Sequence, residues 1–116
     1  MISQFEADVD FQGRCAVVHL SGEIDSNAED SLVDALGKAI ESNPDRFLLD
    51  FRQVQYINSK GIALIVGLLA RYPEIRGRIA AYGLTEHYQE IFKITRLMDY
   101  IFVLRDWEAA LDFINH

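Results

Sequence analysis

The way apolar periodicity changes along the chain does most to limit what it can fold into. Phe5, Ala7, Val9 and Phe11 alternate with Glu6, Asp8, Asp10 and Gln12, the period of an edge strand with one wet face. A short break at Gln12-Gly13-Arg14 leads into the apolar run Cys15–Leu20, which reads as an interior strand covered on both faces and joined to the first by a hairpin. From there helices and strands alternate. Ser26-Asn-Ala-Glu29 spells a capping box, followed by Ala28, Leu32, Leu36, Ala39 and Ile40 at helical spacing, and Asn43-Pro44 ends that helix. Phe47–Phe51 is another short apolar strand, and the chain turns between Val54 and Ser59 before a second helix over Lys60–Tyr72. Arg78–Tyr82 is a fourth strand and Ile101–Leu104 a fifth. Thr85 caps a helix with Tyr88, Ile91 and Phe92 inward, and Asp106 caps a last one that buries Trp107, Ala110, Leu111 and Ile114. The order β-β-α-β-α-β-α-β-α predicts an α/β fold. Its sheet is mixed and mostly parallel, of about five strands with about four helices, because parallel neighbours need crossover connections. With 116 residues and no linker or repeat, one domain over 1–116 accounts for the chain.

A formal net charge of −7 sets the surface against phosphate backbones and anionic lipid, so neither nucleic acid nor membrane is an expected partner. The longest apolar run, Ile62–Ala70, is about half the length of a membrane span, and the N-terminal stretch has acids where a signal peptide has bases. A cytoplasmic protein is expected. Cys15, the single cysteine, has no internal disulfide partner and reads as a buried packing residue, which suits a reducing compartment.

Walker and dinucleotide glycine loops, paired metal-spaced histidines and a Gly-x-Ser-x-Gly elbow are all missing. The sequence therefore points to protein binding without catalysis, and to no cofactor or metal. The second helix is apolar almost all round. Ile62, Ile65, Val66, Leu69 and Tyr72 form the face expected to meet the sheet, leaving Lys60, Leu64, Gly67 and Arg71 opposite with Leu68 on the flank. Two outward leucines beside the small residues Ala63, Gly67 and Ala70 suggest a shallow docking surface. Ser59 stands at the entrance to this helix. Either it or Asn58 can serve as N-cap. Gly61, inside the first turn, costs about 1 kcal/mol of helix stability relative to alanine, which implies a close approach to its backbone by a partner or by an enzyme acting on Ser59.

Three segments together resemble STAS domains of the anti-sigma factor antagonist type: Leu20-Ser-Gly-Glu-Ile-Asp25, Phe47-Leu-Leu-Asp-Phe51 and Tyr56-Ile-Asn-Ser-Lys-Gly-Ile62, with Asp106-Trp-Glu-Ala-Ala-Leu111 closing the chain. The third is similar to that family's Asp-Ser-Ser/Thr-Gly phosphorylation motif, whose first serine falls on Ser59. The sequence departs from it in having Asn58 for aspartate and Lys60 for a second small hydroxyl residue, which leaves the site about two charge units less negative. The resemblance implies partner switching. The unmodified protein binds an anti-sigma factor or similar regulator that is also its serine kinase, phosphorylation of Ser59 ends the complex, and a serine phosphatase restores it. Asp25 and Ser26 then flank the docking surface, Asn58, Lys60 and Gly61 shape the acceptor turn, and Leu64 with Leu68 supplies apolar contact. Two alternatives keep other classes open: a constitutive adaptor, such as the STAS subunit supporting a transporter ATPase, and a small hydrolase using Ser59 with His87 and an acid. Self-association through the same helix, as a monomer or weak dimer, is also compatible.

Overall fold

A computed structural model describes residues 4–116. Its five strands lie side by side in chain order, β1 (Glu6–Gln12), β2 (Cys15–Ile24), β3 (Arg46–Ile57), β4 (Ile79–Tyr82) and β5 (Phe102–Leu104). β1 runs antiparallel to β2, and every later pair is parallel. Four helices connect or follow the parallel strands: α1 (Glu29–Glu41), α2 (Ser59–Arg71), α3 (Glu86–Ile94) and α4 (Trp107–Asn115). This is the mixed, mostly parallel α/β sheet that the periodicity predicts, opening hairpin included.

The sheet is unequally covered. α1, α2 and α3 contribute to one apolar core with Val18, Leu20, Phe47, Leu49 and Phe51, in which Phe92 meets Phe51 edge to face at 5.9 Å. On the opposite face, α4 alone seals a smaller cluster of Cys15, Val17, Leu48, Ala80, Ala110 and Ile114. The three inner strands, β2, β3 and β4, present apolar residues to both faces, as their unbroken apolar runs imply.

Three local expectations are corrected. β2 continues past Leu20 to Ile24 and β3 past Phe51 to Ile57, with register shifts between His19 and Ser21 and between Gly22 and Glu23. These irregularities break the period that a sequence reading follows, and they confine the turn before α2 to Asn58. The helix after β2 is not started by Ser26. Asp25 accepts a hydrogen bond from the Asn27 amide (2.8 Å) and opens a 3-10 turn over Ser26–Ala28 that feeds α1. Trp107 and Leu111 of α4 are partly exposed, because only one stripe of that short helix meets the sheet, through Ala110 and Ile114. Asp106 and Thr85 do cap α4 and α3.

Candidate functional site

Ile24 and Ile57 are register partners at the ends of adjacent parallel strands. The loops that follow them are therefore neighbours, at the carboxyl end of the sheet where open α/β folds place their sites. This brings Asp25 and Ser26 beside Asn58, Ser59 and Lys60. The Ile24 carbonyl joins the two loops, accepting a hydrogen bond from the Asn58 amide at 3.2 Å. On the other side of the turn, the Tyr88 hydroxyl of α3 accepts the Ile57 amide at 2.9 Å.

The cap of α2 is Asn58. Its backbone is extended and its Oδ1 accepts the Gly61 amide at 2.8 Å. Ser59 is therefore the first helical residue, exposed, with the capping role already filled by its neighbour. Lys60 is exposed beside it. Gly61 is buried, and what approaches its backbone is the chain itself. A Cβ built there would lie 2.1 Å from the Ile24 carbonyl oxygen, so the expected approach of a partner or modifying enzyme at this residue is replaced by an internal contact.

The outward face of α2 also differs from expectation. Leu68 is only 5 % exposed and belongs to the core, while Leu64 is half-buried against it. Val66, expected to face the sheet, is exposed instead. The helix is rotated so that Gly61, Ile65, Leu68 and Leu69 face inward, because Gly61 must sit against Ile24. The open side carries Lys60, Ala63, Val66, Gly67, Ala70 and Arg71, a stripe of small side chains with a basic residue towards each end.

No carboxylate pairs with His87 among the described residues. Its ring packs against Tyr88 at 5.0 Å, so no Ser59–His87–acid relay is assembled. His116 lies 3.6 Å from Asp112 at the exposed end of α4, and His19 is the histidine with a buried partner. Its Nδ1 lies 2.9 Å from Asp50 Oδ2 on the α4 face, where the Arg52 amide, Nε and guanidinium also donate to Asp50. Burial pushes the Asp50 carboxyl up, but the Arg52 and His19 hydrogen bonds outweigh it and hold the group below its usual range. Arg52 in turn lies over the rings of Tyr82 and Trp107, at 5.3 and 5.5 Å. Sequence reasoning missed this knot. Its signal was an aspartate inside the apolar run Phe47–Phe51 together with a histidine in the neighbouring one.

Residues 7–105 match the family described as "Mlab, STAS domain". The chain belongs to the STAS domain family. Among relatives of this STAS domain, BtrV of Bordetella bronchiseptica (strain RB50), named as an anti-sigma factor antagonist, is 24% identical over 91 residues, 78% of each chain. Solved structures agree on the fold. An anti-sigma factor antagonist from Mycobacterium paratuberculosis superposes with a TM-score of 0.79 at 19% identity, covering 97% of this chain and 96% of that one. The antagonist SpoIIAA in its unphosphorylated form gives 0.70 at 19% identity over 94% and 96%. The Bacillus SpoIIAA in its phosphorylated form gives 0.64 at 18% identity over 94% and 97%. Among the described residues, no helix is long and apolar enough to cross a membrane.

Proposed function

We propose that this STAS domain is a protein-binding switch of the anti-sigma factor antagonist type. It is not an enzyme, and its controlling group is the Ser59 hydroxyl. Unmodified, it binds an anti-sigma factor or similar regulator with serine kinase activity in the cytoplasm. Phosphorylated on Ser59 it is released, and a serine phosphatase returns it to the binding form. The observation that carries the reading is the division of labour at the start of α2, where Asn58 caps the helix and Ser59 stands exposed beside it. A hydroxyl not needed as a cap can be modified without unravelling the helix. BtrV, the Mycobacterium paratuberculosis protein and SpoIIAA, all named as anti-sigma factor antagonists, supply the partner class.

The electrostatics favour release. A phosphate brings about −1.5 to −2 charges to the head of the small-residue stripe, and the amides at the start of α2 with Lys60 stabilise that charge in the free protein. A differential of about 3 kcal/mol lowers affinity roughly a hundredfold. Asp25 and Ser26, across the Ile24 joint, border the same surface.

Incubation of the full chain with ATP and a cognate serine kinase, followed by mass spectrometry, tests the assignment. Phosphate on Ser59 is expected, and phosphate confined to Ser26 or Thr85 contradicts it. In binding assays with that kinase, Ser59→Ala should keep affinity and Ser59→Asp should lose it. Equal affinities would favour the second reading, a constitutive adaptor such as a transporter ATPase subunit. Asn58 and Lys60, which depart from the phosphorylation motif, favour that reading.

A further inference from the structure

We infer that the groove between the C-terminal half of α2 and the segment linking α3 to β5 is a docking site for an amphipathic segment of a partner protein, with Arg96 receiving a carboxylate from it. The groove encloses about 230 Å³ and is lined by Val66, Leu69, Leu97 and Tyr100, with Arg76 and Arg96 as its charged residues. Val66 is 46 %, Tyr100 53 % and neighbouring Ile94 69 % exposed, so the apolar surface extends beyond the groove itself. In a chain of net charge −7, an apolar groove bordered only by arginines selects an anionic visitor.

Arg96 is the observation that goes furthest. Six described residues have positive φ. Four are glycines, one is Asn43, a residue that tolerates this region, and the sixth is Arg96 at 68°. It follows α3 at the position where glycine is strongly preferred, so an arginine here costs stability that a glycine would not. Its ion pair with Asp99, at 2.9 Å between exposed side chains, returns only part of that cost. Arg76 is engaged differently, donating to the Leu69 carbonyl at 2.8 Å and so closing the end of α2. Arg96 holds Asp99 through Nε alone, so its terminal nitrogens can turn to a partner's carboxylate while apolar side chains of the same segment fill the groove. The groove begins at Val66, about 10 Å along α2 from Ser59, and the inference goes beyond the Ser59 switch without depending on it.

The test is an amide-shift titration of the ¹⁵N-labelled full chain with a synthetic amphipathic helical peptide, leucines on one face flanked by glutamates. A counterpart with lysines in place of glutamates serves as control. The acidic peptide is expected to shift the amides of Val66, Ala70, Leu97 and Tyr100, and the lysine peptide to leave them in place despite the chain's negative charge. Arg96→Gly should weaken acidic-peptide binding about tenfold, the loss of one charge-assisted hydrogen bond, while leaving Tm unchanged or raised. A purely structural arginine would lower Tm on replacement and leave affinity unchanged. Arg96→Asn, which also tolerates the backbone conformation, should repeat the loss. Ser59→Asp should bind the peptide as the unmodified protein does, so a failed switch and a failed groove give different results. Absence of shifts at about 1 mM peptide, equal binding of the lysine peptide, or full affinity in Arg96→Gly overturns the inference.

Discussion

On the α1–α3 face, β3 presents Phe47, Leu49 and Phe51 to a continuous apolar core. On the α4 face the same strand presents Leu48, Asp50 and Arg52, and the apolar layer gives way to a charged knot within two residues. The helical face derives its stability from apolar area, which is large and tolerant of detail. The α4 face is held by a small cluster and by directional bonds. His19 and Asp50 are register partners across β2 and β3, so the knot fixes how those strands align, and the rings of Tyr82 and Trp107 shield its open side. The candidate site lies on neither face but at the sheet end, where β2 and β3 must stop in step for the Ile24 carbonyl to reach Asn58 and Gly61.

The largest expected effect belongs to the helical face. Leu68→Ala should cost about 3 kcal/mol in urea denaturation, since it empties a core position, whereas Val66→Ala on the outer side of the same helix should cost less than about 0.5 kcal/mol. Equal costs would mean that α2 is rotated differently from what its packing shows. Gly61→Ala should cost about 2 to 3 kcal/mol, because a methyl group 2.1 Å from a backbone oxygen forces α2 away from β2. The same variant should weaken partner binding, as it separates the two loops of the site.

The knot contributes less, and it does so with a pH signature. Asp50→Asn should cost about 2 kcal/mol at neutral pH, since it leaves Arg52 and His19 facing an uncharged group in a buried setting. The folded carboxyl titrates below its unfolded value of about 4. Its stabilisation is therefore complete above that pH and is lost as pH falls through the lower folded value. Denaturation midpoints of the wild type and Asp50→Asn should converge only in that acid window. Parallel curves throughout would remove Asp50 as the source.

Much of this contrast could be read from the residues. The order of elements, the opening hairpin and the caps of α3 and α4 follow from periodicity and cap chemistry, which act over a few residues, and the same chemistry narrows the cap of α2 to Asn58 or Ser59. The rotation of α2 did not follow, because the deciding contact joins Gly61 to Ile24, thirty-seven positions apart, and the helix is apolar enough to hide its true inner face. Helical spacing alone permits both Val66 and Leu68 as inward residues; only the carbonyl against Gly61 chooses between them. The knot was concealed for a similar reason, since the pairing of His19 with Asp50 depends on register and on the bulges that follow it.

The smallest expected effect bears on which face opens first. Cys15 is buried in the α4-side cluster, where burial pushes its thiol up to about 11 against the opposing influence of Arg46. At pH 8 only about one molecule in a thousand would carry the thiolate while the side chain stays buried. A disulfide-exchange reagent should therefore leave the native protein unlabelled over a time in which the urea-unfolded protein reacts fully. Residual labelling then reports local opening. If the thin α4 face loosens before the core, Ile114→Ala should speed labelling of Cys15 by more than its loss of global stability accounts for, and Leu68→Ala should not. Equal ratios for the two variants would show that both faces open together, and the knot would then be sufficient to bind α4 into the same cooperative unit as the helical core.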